Sequence, residues 1–305
     1  METAVARVRT LSPTGFLRLT LATSLALFLV VTSGAFVRLT GSGLGCENWP
    51  RCGDKPYPEQ GYHAFVEFGN RMIALVGIVL TLVTWLASRR VDGVSRGARL
   101  AALGAFLVAA AQIPMGGVTI ALDLHPLAVM AHFLLGLAVV ALALVVLLEA
   151  WILVAGLARP AGPRWLRQVA VWAGLPACAA LVVTGAVATA SGPHPGADEG
   201  VERLGLQISD VVYVHVRVAA VFGIGALGVG WCLWRIRRDY PGLLRLWAAL
   251  LAALVAQAVV GEVQYRNALP WGIVLVHVLL AATIWALAVG IAYALWRPPA
   301  PLARQ

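Results

Sequence analysis

Two histidines stand near the middle of long apolar runs, and the same surroundings recur around both. The segment Ala111-Gln112-Ile113-Pro114-Met115-Gly116-Gly117-Val118 precedes His132 as Ala256-Gln257-Ala258-Val259-Val260-Gly261-Glu262-Val263 precedes His277. The offset is 145 residues (277 − 132), and Gln112/Gln257 and Gly116/Gly261 keep it without a gap. His215 moved back by the same offset falls on Asn70. An imidazole therefore occupies three of four equivalent places at membrane depth, where an ionisable group is costly and usually functional. Two facing imidazoles can hold a metal or a heme iron.

The two halves differ in what they offer. His215 and His277 make a complete pair, suited to a closed, six-coordinate, low-spin heme that carries electrons. His132 opposite Asn70 is an incomplete pair, which leaves one face of an iron open and fits a heme that is exchanged or reacted upon. Nearby, in Tyr62-His63-Ala64-Phe65-Val66-Glu67-Phe68-Gly69-Asn70-Arg71, Glu67 and Asn70 share a helical face and His63 extends the stripe by one turn. Glu67 is either an ion-pair partner of Arg71 or an acid/base group. Cys46 and Cys52, spaced by turn formers Asn48 and Pro50, are either a disulfide staple or a pair that cycles between thiol and disulfide. Cys178 and Cys232 read as buried small hydrophobes, and His125 and His194 as surface loop residues. Arg38, Arg71, Arg217 and Arg266 stand near helix ends, where they could pair with heme propionates or snorkel to headgroups.

The elements that must position these groups are membrane helices. Of 305 residues, 60% are apolar and only 12% charged, which no soluble domain of this size shows. Runs long enough to cross a bilayer fall at roughly 15–37, 65–88, 98–121, 127–156, 166–190, 207–234, 243–264 and 270–296. The expected fold is all-α and integral to the membrane: eight transmembrane helices as two pseudo-symmetric four-helix bundles, residues 1–157 and 158–305. The net charge of +9 does not point to nucleic acid, because the basic residues collect in alternate connections. Arg7, Arg9 and Arg18 precede the first run; Arg89, Arg90, Arg96 and Arg99 lie between the second and third. Arg159, Arg164 and Arg167 follow the fourth, Arg235, Arg237, Arg238 and Arg245 surround the 6–7 connection, and Arg297 and Arg304 close the chain. The positive-inside rule then puts both termini in the cytoplasm and the Cys46–Cys52 loop outside the cell membrane. The first run lacks a small-residue cleavage site and reads as a retained helix.

Thr40-Gly41-Ser42-Gly43-Leu44-Gly45-Cys46, followed by Trp49-Pro50 and Cys52, resembles the first outer loop of the heme A synthases. Val66-Glu67-Phe68-Gly69-Asn70-Arg71 is similar to that family's second-helix signature, a Glu three residues before a His-Arg pair, and His132, His215 and His277 fall where its other heme-ligating histidines fall. The resemblance covers about residues 16–296. It implies oxidation of the C8 methyl of heme O to a formyl group, by successive hydroxylations and loss of water, to give heme A for terminal oxidases. It implies a heme b cofactor on His215 and His277, a substrate heme at His132, Asn70 and Arg71 with Glu67 catalytic, and a role in activity for Cys46 and Cys52. Implied partners are heme O synthase, terminal oxidase assembly factors and an electron donor. Two departures mark a divergent branch: Asn70 stands where many members have histidine, and Ser191-Gly192-Pro193-His194 replaces a second cysteine pair. His63 is a poor substitute ligand, since seven residues span about 10 Å of helix. Two other functions fit paired heme sites, a bis-histidine electron-transfer cytochrome b and a heme carrier. Prenyl transfer to heme does not, because the spans lack the paired aspartates that hold a diphosphate's divalent cation.

Overall fold

The computed structural model describes residues 11–46, 48–54, 57–58, 61–157, 163–197 and 200–302. Arg7, Arg9, Arg159 and Arg304 of the charge pattern, and Glu47 of the cysteine loop, lie outside the described residues. Eight helices are long and apolar enough to span a bilayer: α1 Pro13–Leu39, α2 Tyr62–Ser88, α3 Arg96–Ala121, α4 Pro126–Ala155, α5 Arg164–Ser191, α6 Ile208–Arg235, α7 Pro241–Arg266 and α8 Trp271–Trp296. Every boundary falls within three residues of its expected place. The chain is a multi-pass membrane protein.

Local chemistry sets several of the ends. Ser12 and Ser95 cap α1 and α3 by accepting from Gly15 N and Ala98 N at 3.1 and 3.2 Å. Proline opens the first turn of α1, α4 and α7, where its missing N–H costs nothing. Inside α5 the residues Ala170–Gly174 form a π turn. Pro176 follows, and its ring would clash with the carbonyl four residues before it, that of Trp172, which the wider turn displaces.

Helices α4 and α8 meet along the centre, and α1 also packs on α8. One buried cluster joins Leu27 of α1, Ala105 and Ala109 of α3, and Val139, Val140 and Ala143 of α4. Another gathers Cys178, Phe222, Leu250, Ile284 and Ile291 from α5 to α8. Val221, Ile224 and Trp172 are among the apolar side chains left on the surface, as a lipid-facing surface allows. The first and last four helices are joined by Trp285 Nε1, which donates to Leu137 O at 3.0 Å.

A stronger tie lies at the end of the bundle remote from the cysteines. The Glu149 carboxylate has no exposure. It accepts from Arg297 Nε and Nη2 at 3.0 and 3.1 Å, Tyr293 Oη at 2.7 Å and Ser95 N at 3.2 Å. Beyond it the terminal segment turns back, and Ala300 N donates to Gly156 O at 2.8 Å. Removing one partner of a buried ion pair leaves an uncompensated charge, at a cost of roughly 3–5 kcal/mol. Arg297→Ala is expected to lower the unfolding midpoint in detergent by a loss toward the lower end of that range, since Arg297 is itself partly exposed. Melting curves of the two proteins check this.

Candidate functional site

At the opposite end, the loop after α1 is fastened to α2. Cys46 and Cys52 are bonded as a disulfide, with S–S 1.99 Å. The Cys46 N–H donates to Glu67 Oε2 at 2.8 Å, and Arg71 Nη2 donates to Glu67 Oε1. Arg71 Nη1 reaches three carbonyls of the same loop, those of Asn48, Pro50 and Arg51, at 3.2, 3.1 and 2.7 Å. Its guanidinium lies 4.6 Å from the centre of the Trp49 ring. The buried carboxylate of Glu67 is therefore held in one orientation by a backbone N–H and a cation. Gly45 permits this docking, because a Cβ there would lie 2.4 Å from the backbone of His63.

Trp49 in turn rests on α3. A Cβ at Gly117 would come 2.8 Å from Trp49 Cδ1 and Nε1, and one at Gly116 3.2 Å from Cη2. Closing a short loop by a disulfide is worth about 2–3 kcal/mol on a chain-entropy estimate. The double variant Cys46→Ser, Cys52→Ser is expected to lose stability of that order. Comparing unfolding midpoints of wild type with and without reductant, and of the variant, measures it.

The histidines are placed as follows. The rings of His215 and His277, from α6 and α8, are centred 6.5 Å apart at 62°. Two glycines make room for them: a Cβ at Gly185 would lie 3.1 Å from His215 Cε1, and one at Gly261 3.2 Å from His277 Cε1. The Thr184 hydroxyl meets His215 Nδ1 at 3.0 Å. Asn70, at the place that corresponds to His215, has its Oδ1 taken by the Ser33 hydroxyl at 2.7 Å. His132 lies on α4, where its backbone carbonyl accepts from Gln112 Nε2 at 2.9 Å. Glu67, Arg71 and the cysteines are thus brought together, and His215 with His277; no hydrogen bond joins Glu67 to His132 among the described residues.

Ser33 and Thr184 carry no signal at the 145-residue offset, because they stand 151 residues apart (184 − 33), as do Gly34 and Gly185. The segment between α1 and α2 is six residues longer than its counterpart, so the register of the repeat shifts there. Ser33-Gly34-Ala35 and Thr184-Gly185-Ala186 become visible as equivalents only when α1 and α5 are aligned separately.

Other expectations change. Arg38 neither snorkels nor stands free: its Nε donates to His194 O at 3.0 Å and its Nη2 to Thr189 O at 3.1 Å, tying α1 to the last turn of α5 and the loop after it. His194 is not a bare surface residue, since its Nε2 meets Leu269 O at 2.7 Å and the side chain is half-buried. The α5–α6 loop is thereby pinned from both sides. His125 is half-buried too, with Nε2 3.8 Å from Glu202. Arg217 lies over the Tyr213 ring and Arg266 pairs with Glu262, both at the surface. His63 is exposed and shares a 2.9 Å hydrogen bond with Ser42. Cys178 is buried as expected, whereas Cys232 is only half-buried.

The His215–His277 pair passes a simple test of fit. Metal–imidazole bonds of about 2 Å to one nitrogen of each ring would set the ring centres roughly 6 Å apart. Among the described residues no group of three or more His, Cys, Asp or Glu could hold a bare ion. Two imidazoles at this spacing would also fit the two faces of a heme iron.

Eight membrane-spanning helices, with a facing pair of histidines in the second half and an unequal position in the first, characterise the chain. Residues 17–289 match the COX15-CtaA family, described as cytochrome oxidase assembly protein, and the chain belongs to that family. It is 28% identical over 132 residues to a heme A synthase of Bacillus pumilus, covering 43% of this chain and 42% of that protein. It is 34% identical over 94 residues to a heme A synthase of Symbiobacterium thermophilum (29% and 31% covered) and 33% identical over 129 residues to one of Bacillus cereus strain AH187 (41% and 40% covered). In each case the matched stretch spans less than half of the relative's length.

Proposed function

We propose that the protein is a heme A synthase, an oxidoreductase that converts the C8 methyl of heme O to a formyl group and so supplies heme A to terminal oxidases. The observation that carries this reading is the inequality of two equivalent positions. His215 faces His277 at 6.5 Å, while Asn70, its counterpart, offers an amide already engaged by Ser33. In this reading residues 158–305 hold heme b through His215 and His277, and residues 1–157 receive heme O on His132. When bound, heme b supplies electron transfer.

The chain's own residues then have distinct tasks. Asn70, where the equivalent residue is His215, would offer no strong second ligand to an iron held by His132, so the substrate could enter, react and leave. Glu67 takes or returns a proton during oxidation of the methyl, or holds that methyl in place. Arg71 fixes the Glu67 carboxylate, keeps the disulfide loop seated and offers positive charge to the substrate region. Trp49, packed on Gly116 and Gly117, keeps the disulfide loop against α3. Both termini lie in the cytoplasm of a cell-membrane protein, and the Cys46–Cys52 loop lies outside, which the placement of arginines supports. Heme O synthase, oxidase assembly factors and an electron donor are the partners this activity requires.

The test is to express the chain in cells that make heme O and to chromatograph the extracted hemes. Heme A is expected to accumulate. Recovery of unmodified heme alone, in stoichiometric amount, would identify a carrier instead.

A further inference from the structure

Four buried polar atoms lack a hydrogen-bond partner in a pattern that the repeat duplicates: His132 Nδ1 with Gln112 Oε1, and His277 Nδ1 with Gln257 Oε1. We infer that Gln112 and Gln257 are positioning residues, each amide oxygen accepting the Nδ1 proton of the histidine on the next helix. The inference rests on the reading of His132 and His277 as heme ligands and adds what orients them.

In each half the orphaned donor and acceptor come from consecutive helices, 20 residues apart in sequence. Gln112 Nε2 donates to the backbone carbonyl of His132 itself. That bond decides which end of the amide is nitrogen, and leaves Oε1 as the end without a partner. In the second half Gly261 stands one turn from Gln257. A Cβ there would meet His277 Cε1 at 3.2 Å and Nδ1 at 3.7 Å. The Nδ1 edge of His277 therefore faces α7, the helix that carries Gln257.

A neutral imidazole that binds a metal through Nε2 carries its proton on Nδ1. Ligating histidines almost always donate that proton to a carboxylate, a carbonyl or water, which fixes the ring and raises its basicity. His215 already has its partner in the Thr184 hydroxyl. His277 and His132 have none, and each has an unsatisfied amide oxygen on the neighbouring helix. A buried donor and a buried acceptor left apart are each unfavourable, so a small rotation of the amide or ring that joins them is favoured.

The experiment is a redox titration of the intact heme-loaded protein in detergent, with heme retention measured on dilution. Gln257→Leu removes the acceptor and is expected to raise the heme b midpoint potential and weaken heme retention about 10- to 100-fold. Gln257→Glu offers a stronger acceptor and is expected to shift the potential the other way. If the leucine variant fails to fold, Gln257→Asn keeps the amide but withdraws it by one methylene, and carries the leucine expectation. Unchanged potentials, or shifts of both variants in one direction, overturn the inference while His277→Ala still removes the low-spin heme. A low-spin heme that survives His277→Ala overturns the ligand reading, and the inference with it.

Discussion

Glu67→Ala is expected to stop conversion of heme O while heme b stays bound in the other half. The Glu67 side chain is buried, takes one hydrogen bond from Cys46 N and is paired with Arg71. Alanine removes a proton carrier beside the proposed substrate site, and such groups typically contribute about 10²–10⁴-fold to rate. It also frees the disulfide loop from one of its anchors, so two causes must be separated. Glu67→Gln separates them. Its amide oxygen can still accept from Cys46 N, but it neither carries a proton nor forms an ion pair. Activity lost in both variants, with the unfolding midpoint of the glutamine variant kept, assigns Glu67 to proton handling. Activity kept in the glutamine variant assigns it to holding the loop. The readout is the ratio of heme A to heme O in extracts, beside the heme b absorbance.

Loss of either histidine of the second half is expected to have as large an effect by another route. His277→Ala leaves His215, positioned by Thr184, with no facing imidazole. The low-spin signature is expected to vanish and heme b retention to fall by more than the roughly 100-fold that loss of an outer partner brings. Heme A formation is expected to stop with it, because the heme b that would relay electrons for the oxidation is no longer held. His132→Ala gives the complementary result: heme b remains, and heme O is neither held nor converted. If His277→Ala still forms heme A at the wild-type rate, the division of labour between the halves is wrong.

The helices were legible because apolar runs of bilayer length leave little choice of structure. The histidines were legible because one offset, 145 residues, aligns α2 to α4 with α6 to α8. What supports them was not. Ser33 and Thr184 escaped because the longer first loop moves α1 out of that register. Gly116 and Gly261 align in sequence, yet Gly261 makes room for His277 and Gly116 for Trp49, since the longer loop brings an indole to the first half alone. Glu149 did carry a signal, as a lone carboxylate in an apolar run. Its partners Tyr293 and Arg297 are 144 and 148 residues away in the chain, and the repeat offers no counterpart, because Ala294 stands at the equivalent position. The alternatives open at Glu67 narrowed only in part: the ion pair with Arg71 exists, and proton handling is compatible with it.

The inequality of the two halves is tested most directly by loading the purified protein with heme O under turnover and analysing every heme it holds. The expected result is one heme b that resists exchange and requires His215 and His277, with a second heme that exchanges, requires His132 and leaves as heme A. Two hemes b held equally tightly, with no heme A formed, would contradict the account.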